Sequence, residues 1–430
     1  MQGNPQSVVA KLASGKPVAI FGAGSSGIAA RRVLEKHGIE SVIYSETPTA
    51  DSDTANIFDT TSVQKHNLVV YSPAFRPDHK WISLADSYGL VAICEPDLSA
   101  LFWQGKIVAI TGTNGKTTLT TFLERALKHY GIDAYAVGNI GRPLCDLCAE
   151  YSDTSNKTAV YELSSFQTSR LRYLKPDAVL WTNFAPDHLD WHKDMAEYFS
   201  AKVNLANSAK GGILLVGQDV IAFADSNAIT LPENAKIPTP IAPADCPAPF
   251  NTSIQSQNYS MAIEYLRVSG FDTSILKDAT ENFDLPKYRF GNYTQVCGVK
   301  FYNDSKATNA HAAIAALCEL QGTQNLVWLG GGKDKYCDNS ELVSAVKESA
   351  IAAVLIGQTA EKLKVMFDEI GFPAYICNTM QEAVFTSARL AGDGGSVLFS
   401  PAFSSFGMFS SYAERGKSFQ NEVLCLKNLK

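Results

Sequence analysis

Short apolar runs alternate with stretches of helical periodicity from one end of the chain to the other, and nothing else in the sequence restricts its fold as strongly. "PVAIFG", "SVIYS", "NLVVYS" and "VAICE" come first, then "IVAITG", "TAVYELS", "AVLWTN" and "GGILLVG", and finally "NLVWLGG", "AAVLIG", "AYICN" and "SVLFSPA". Such alternation specifies α/β layers built on parallel sheets. At 430 residues the chain exceeds what one hydrophobic core sustains, so three domains are expected. Two weaker stretches punctuate the pattern. "LPENAKIPTPIAPADCPAPFNTS" reads as an irregular loop region, and "ENFDLPKYRFGNYTQVCGVKFYNDS" as a turn leading into a hairpin. The boundaries are therefore placed near 103 and 296, giving domains 1–103, 104–295 and 296–430.

Composition limits the function classes. Hydrophobic residues make up 46% and charged residues 19%, as in ordinary globular proteins, and no stretch approaches the roughly 18 apolar residues of a membrane span. The N-terminal "MQGNPQSVVAKLASGKPVAIF" lacks the basic and apolar regions of an export signal, so a cytoplasmic protein with no membrane partner is expected. A net charge of -6 gives no basic footprint for nucleic acid. Nine dispersed cysteines do not form a disulfide framework, and Cys145 and Cys148 of "CDLC" read as helical core residues rather than zinc ligands.

Two glycine loops compete as nucleotide sites. Gly22, Gly24 and Gly27 satisfy G-x-G-x-x-G after a strand, with Glu46 about twenty residues on, where a dinucleotide-binding domain keeps its ribose acid. A tight strand-to-helix turn needs glycine in any case. A third reading is that a helix beginning near Ser25 holds the phosphates of another nucleotide at its N-terminus. The second loop, Gly112-Thr113-Asn114-Gly115-Lys116-Thr117, is more specific. It offers backbone N–H groups for phosphates, a lysine for the terminal ones and a hydroxyl for Mg²⁺, although Ile110 stands where the first glycine of the usual motif would be. ATP is assigned to it. Glu162, ending "TAVYE", is expected beside this loop as a metal ligand, and Asp187 and His188 at a further strand tip. No H-E-x-x-H accompanies His188 and His192, and a surface helix start accounts for His192 more simply than zinc.

In order along the chain, "TGTNGKT", "ELSSFQ", "TNFAPDHLDWH", "YFSAK", "YNDSKATN", "GGGKDK" and "SPAFSSFGMFSSYAERG" resemble the motifs of the Mur ligases. The similarity runs from about residue 18 to 420. Its later motifs are most similar to the branch of that family that adds D-glutamate to UDP-N-acetylmuramoyl-L-alanine in peptidoglycan synthesis. The resemblance implies a Rossmann-like N-terminal domain for the UDP-linked substrate, a central P-loop-type ATPase domain with a mostly parallel sheet, and a C-terminal Rossmann-like domain for the amino acid. It implies a monomeric ATP-dependent amide-bond-forming ligase using two Mg²⁺ ions.

Carried over residue by residue, Ser25, Ser26, Ser72, Asn139, Ser164 and Gln167 would contact the UDP-substrate. Gly112, Thr113, Asn114, Gly115, Lys116, Thr117 and Thr118 would cradle ATP, with Arg289 and Asp304 at its phosphate and ribose. Thr117, Glu162 and His188 would hold magnesium together with Lys202, which matches the lysine that the family carbamoylates. Lys116, His188, Lys202, Arg289 and Lys306 would carry the chemistry, and Thr308, Lys335, Ser405, Phe406 and Tyr412 would receive the amino acid. Some positions depart from the pattern. Met261 replaces an asparagine expected to read adenine, Lys287 and Tyr288 replace Pro-His, "VIYSE" lacks an aspartate, Ala74 replaces a glycine, and Tyr412 stands where phenylalanine is common. The alternatives are a Mur-type ligase for another amino acid and a non-catalytic nucleotide-binding protein on the same fold. The second would be expected to lose Lys116, Glu162, His188 or Lys202, and all four are present.

Overall fold

The computed structural model describes residues 5–47, 54–209, 212–291 and 293–429. They contain three sheets. The first consists of β1 (Val18–Phe21), β2 (Ser41–Tyr44), β3 (Thr54–Ala55), β4 (Leu68–Tyr71) and β5 (Val91–Cys94), in the order β3-β2-β1-β4-β5, and is wholly parallel. The second holds β6 (Lys106–Thr111), β7 (Asp133–Gly138), β8 (Lys157–Glu162), β9 (Ala178–Trp181), β10 (Ile213–Val216) and β11 (Ala235–Lys236). Its order, β11-β10-β9-β6-β8-β7, is again parallel throughout. The third comprises β12 (Tyr293–Val296), β13 (Val299–Asn303), β14 (Leu326–Gly330), β15 (Ala352–Leu355), β16 (Ala374–Ile376) and β17 (Ser396–Phe399), ordered β12-β13-β17-β14-β15-β16. Only the β12–β13 pair is antiparallel, the hairpin expected from the sequence.

The apolar runs become strands because helices cover both sheet faces, so that successive side chains are buried whichever way they point. β1, β4, β9, β14, β15 and β17 are buried along their whole length. In the third sheet one face packs Trp328, Leu355 and Leu398 with Leu342 and Phe367, and the other packs Val327, Phe301 and Phe399 with Phe419.

The chain forms two compact units. One contains residues 1–184, 196–240 and 258–281, and the other 185–195, 241–257 and 282–430. Within the first unit, the helix Glu95–Phe102 that follows β5 packs against the helix Leu144–Glu150. The Glu95 carboxylate, 1% exposed, accepts hydrogen bonds from the Cys145 N–H (3.0 Å) and the Tyr161 hydroxyl (3.2 Å), and burial pushes its pKa up. Asp97 accepts the N–H groups of Arg172, Tyr173 and Leu174. Cys145 and Cys148 lie buried on the Leu144–Glu150 helix, with thiol pKa values raised by burial, as expected of core residues. His192 is a correction: it is 2% exposed, not on a surface helix start, and its N–H donates to the His188 carbonyl. No helix among the described residues is long and apolar enough to cross a membrane.

Candidate active site

The first glycine loop closes the turn between β1 and the helix Ser25–Lys36, where the strand order of the first sheet reverses. A side chain at Gly27 would place its Cβ 1.8 Å from the Gly22 carbonyl oxygen, so the third glycine is demanded by strand–helix packing alone. Ser25 and Ser26 form the first helical turn, and Ser72 pairs its N–H with the Phe21 carbonyl. A cavity of about 440 Å³ opens there, lined by Gly22, Ala23, Gly24, Ser45, Glu46, Thr47, Ala74, Phe75 and His79. Glu46 is at its rim, paired with His79 and Lys80.

The second glycine loop joins β6 to the helix Lys116–His129. Gly112 and Gly115 adopt φ values of +142° and +84°, and a Cβ at Gly112 would fall 1.9 Å from Thr182 Oγ1. The loop is held by its neighbours. Asn114 donates its N–H to Asn183 Oδ1 (2.8 Å) and accepts from Thr182 Oγ1 (2.6 Å), while the Thr113 hydroxyl meets the Tyr198 hydroxyl at 3.1 Å. Lys116 folds back to donate to the carbonyls of Gly112 (2.8 Å) and Thr113 (2.9 Å). Thr117 and Thr118 occupy the first turn of the helix.

Glu162 stands opposite Ile110 at the end of β8, adjacent to β6. It is 1% exposed; Oε1 accepts from Asn139 Nδ2 at 2.8 Å, and Oε2 has no hydrogen-bond partner. A buried carboxylate oxygen without a donor costs free energy unless a cation meets it, and a carboxylate oxygen is a ligand that suits a hard dication. Lys202, on the helix Met195–Ser208, is 1% exposed and donates to Gly112 O (2.9 Å) and Thr111 Oγ1 (3.2 Å), with its ammonium 5.0 Å from the Tyr198 ring centroid. Ser164 and Gln167 are bound to each other in a helix-capping box.

Sequence reasoning missed several contributors to this unit. Asn183 and Tyr198 fix the loop, and Asn258 lies so close that a Cβ at Gly115 would be 2.5 Å from its Oδ1. Asn258 sits in the polar run Gln255-Ser256-Gln257-Asn258, and nothing in that run marks it out in the sequence. Met261, one turn further along, is buried like Asn258, each at 3% exposure.

In the second unit the loops after β13, β17 and β14 leave adjacent strands. Asp187, predicted at a strand tip, accepts from Lys335 Nζ and from Asn309 Nδ2 (3.0 Å), and His188 donates its N–H to it at 2.7 Å. Burial works to raise the Asp187 pKa, but the His188 and Lys335 charges outweigh it and hold the carboxyl far below the usual range. Asp187, Thr308, Asn309 and Lys335 line a small cavity of about 160 Å³ with Cys337 and Phe403. His188 adopts φ +57° and belongs to this unit. Ser405 is buried and Phe406 exposed. Lys306 Nζ lies 3.9 Å from the ring centroid of Tyr412.

Arg289 borders a larger cavity of about 750 Å³ with Tyr288, Lys287, Asn303 and Phe301. Asp304 accepts the Phe290 N–H (2.9 Å) and the Ser400 hydroxyl (2.7 Å); burial pushes its pKa up to about 7 against those bonds and the charges of Arg289 and Arg415. It thus pins the segment beside Arg289 to the ends of β13 and β17. Tyr288, in the left-handed region at φ +64°, lays its ring on Gly416, where a Cβ would approach the ring to 2.4 Å. Gly416→Ala is therefore expected to displace Tyr288 and with it Arg289. Stability should fall by about 1–3 kcal/mol, checked by chemical denaturation.

The model of the Mur ligase middle domain matches residues 110–317, and that of the Mur ligase glutamate ligase domain matches residues 288–403. The UDP-N-acetylmuramoylalanine--D-glutamate ligase of Caldicellulosiruptor saccharolyticus is 30% identical over 452 residues, covering 95% of this chain and 98% of that protein. Its counterpart from Lachnoclostridium phytofermentans is 30% identical over 460 residues, covering 96% and 99%. Among solved structures, the MurF ligase from Thermotoga maritima in complex with ADP superposes with a TM-score of 0.59 at 13% identity, covering 96% of this chain and 95% of that one. The UDP-N-acetylmuramate-alanine ligase of the same organism gives 0.58 at 15%, covering 94% and 98%. The structural likenesses establish a shared fold. With two domain models matched in order and 30% identity along nearly the full length of both relatives, the chain belongs to the Mur ligase family.

Proposed function

We propose that the protein is an ATP-dependent ligase of peptidoglycan precursor synthesis that joins D-glutamate to UDP-N-acetylmuramoyl-L-alanine and releases ADP and phosphate. One observation carries the reading: the glycine loop ending in Lys116 sits beside a buried Glu162 whose second oxygen lacks a partner. Relatives bearing that activity in their names match the chain over almost its whole length. Residues 1–103 are assigned to the UDP-substrate, 104–295 to ATP and 296–430 to the amino acid. Both nucleotides are soluble metabolites, so the reaction is assigned to the cytoplasm.

A carboxylate resists attack by an amine because its carbonyl is deactivated and its leaving group is poor. Moving the γ-phosphoryl group of ATP onto it makes an acyl phosphate; the amine of D-glutamate then adds to the carbonyl, and the tetrahedral adduct expels phosphate. Negative charge accumulates throughout, so positive groups fixed in advance favour the transition states. Lys116, now satisfied by two carbonyls of its own loop, is poised to exchange them for phosphate oxygens. Arg289 adds a second cation on the ATP side. Thr117, Glu162, His188 and a carbamoylated Lys202 would hold Mg²⁺, which when bound neutralises phosphate charge. On the amino-acid side, Lys306, Thr308, Lys335 and the Ser405–Phe406 loop supply cations and donors for two carboxylates. Ser25, Ser26 and Ser72 are assigned to the UDP moiety, with Asn139, Ser164 and Gln167 assigned to the sugar-peptide end.

The test is phosphate release from ATP in the presence of UDP-N-acetylmuramoyl-L-alanine, with single amino acids added in turn. Turnover is expected with D-glutamate. Equal turnover with L-lysine or L-alanine, or none with D-glutamate, overturns the substrate assignment.

A further inference from the structure

Arg415 is among the largest fully buried side chains, at 1% exposure, and stands between Glu414 and Gly416 on the helix Tyr412–Cys425. Its guanidinium donates through Nε to Ser305 Oγ (3.1 Å), through one terminal nitrogen to the Ser305 carbonyl (2.8 Å) and through the other to the Phe403 carbonyl (2.9 Å). The Ser305 hydroxyl passes its own proton to the Tyr412 carbonyl at 2.9 Å, returning to the helix that carries the arginine. The nearest opposing charge, Asp304, bonds Phe290 and Ser400 instead.

We propose that Arg415 is a positioning residue that sets the three strand-end loops of the amino-acid side in register with one another. Burying a guanidinium costs several kcal/mol, and an apolar residue would fill the same space at lower cost, so packing alone does not account for it. What an arginine adds is a rigid fork of donors whose spacing fixes the acceptors it bridges. One acceptor residue, Ser305, adjoins Lys306. Another, Phe403, lies two residues before Ser405. The third loop is joined through Ser404, whose carbonyl accepts the Lys333 N–H at 2.9 Å, and a Cβ at Gly332 would come within 3.3 Å of the guanidinium. The side chain thus bridges the loops bearing Lys306 and Ser405 directly and reaches the loop bearing Lys335 through the Ser404–Lys333 bond. The inference rests on the reading of those loops as the amino-acid site.

The experiment compares Arg415→Lys and Arg415→Ala with the native protein, using steady-state kinetics in each substrate and amide hydrogen exchange. Arg415→Lys keeps the charge but not the fork. It is expected to raise the D-glutamate KM about tenfold while the ATP and UDP-substrate KM values stay within about twofold. Amides of residues 305–308, 333–335 and 403–406 should exchange faster together. Adding guanidinium to Arg415→Ala should restore the D-glutamate KM in part. A fall in kcat with every KM unchanged, as from a smaller folded fraction, would overturn the proposal, as would native exchange rates in the three loops. Should the native protein fail to turn over D-glutamate, the substrate assignment falls, and the exchange measurement still decides the role of Arg415.

Discussion

Lys116→Ala is expected to lower ligation by roughly a thousandfold while leaving affinity for the UDP-substrate nearly intact. Lys116 is the first residue of the helix after β6, and its ammonium already lies across the loop that would receive the phosphates. Its removal deletes positive charge where it is most needed as the phosphoryl group moves. The glycine turn after β1 belongs to a different sheet and is held by its own contacts, with Gly22 and Gly27 packed against each other. Calorimetry separates the two sites: UDP-substrate binding should survive in the variant and ATP binding should weaken. Equal losses for both ligands would mean that the two glycine loops have been divided wrongly.

Lys202→Ala should cost about 10–100-fold in activity and regain part of it when acetate is supplied, whereas Lys202→Arg should not be rescued. The amine is buried against Gly112 O and Thr111 Oγ1, and Glu162, opposite Ile110 on the neighbouring strand, leaves an oxygen unbonded. An ammonium there would repel Mg²⁺. A carbamate formed with CO₂ reverses the sign of the side chain and offers oxygen to a cation that prefers it. A carbamate carbonyl signal from isotopically labelled CO₂, present in the native protein and absent from Lys202→Ala, gives a readout independent of turnover. Near-normal activity of Lys202→Ala without added carboxylate would overturn the proposal.

Much of the fold was legible because buried parallel strands are written as unbroken apolar runs, and every such run quoted from the sequence became a strand. The strands that escaped notice are those without such a run. β7 carries exposed and half-buried positions at the edge of its sheet, and β3 and β11 are two-residue edge strands. The glycine loop between β6 and the helix Lys116–His129 was equally legible, since one contiguous segment supplies its glycines, lysine and hydroxyl. Buried charge was not. Asp187 is more than a hundred residues from both Asn309 and Lys335 and meets them only in the folded chain. Arg415, Glu95 and His192 look like surface residues until partners from other elements enclose them. Periodicity reports which face of an element is apolar; it carries no information about which polar side chain a distant loop will satisfy.

A carboxylate shared between two sheets also limits how the gene can be recombined. Glu95 is encoded with the first sheet, while its donors, Tyr161 and the Cys145 N–H, are encoded with the second. A chimaera joined at residue 103 whose foreign N-terminal block lacks an acid at that position would strand both donors in the interior, at about 1–3 kcal/mol each. An acid brought in without its donors would be worse off, being a buried charge with nothing to accept from. The smallest block that can be exchanged intact therefore contains the first two sheets together.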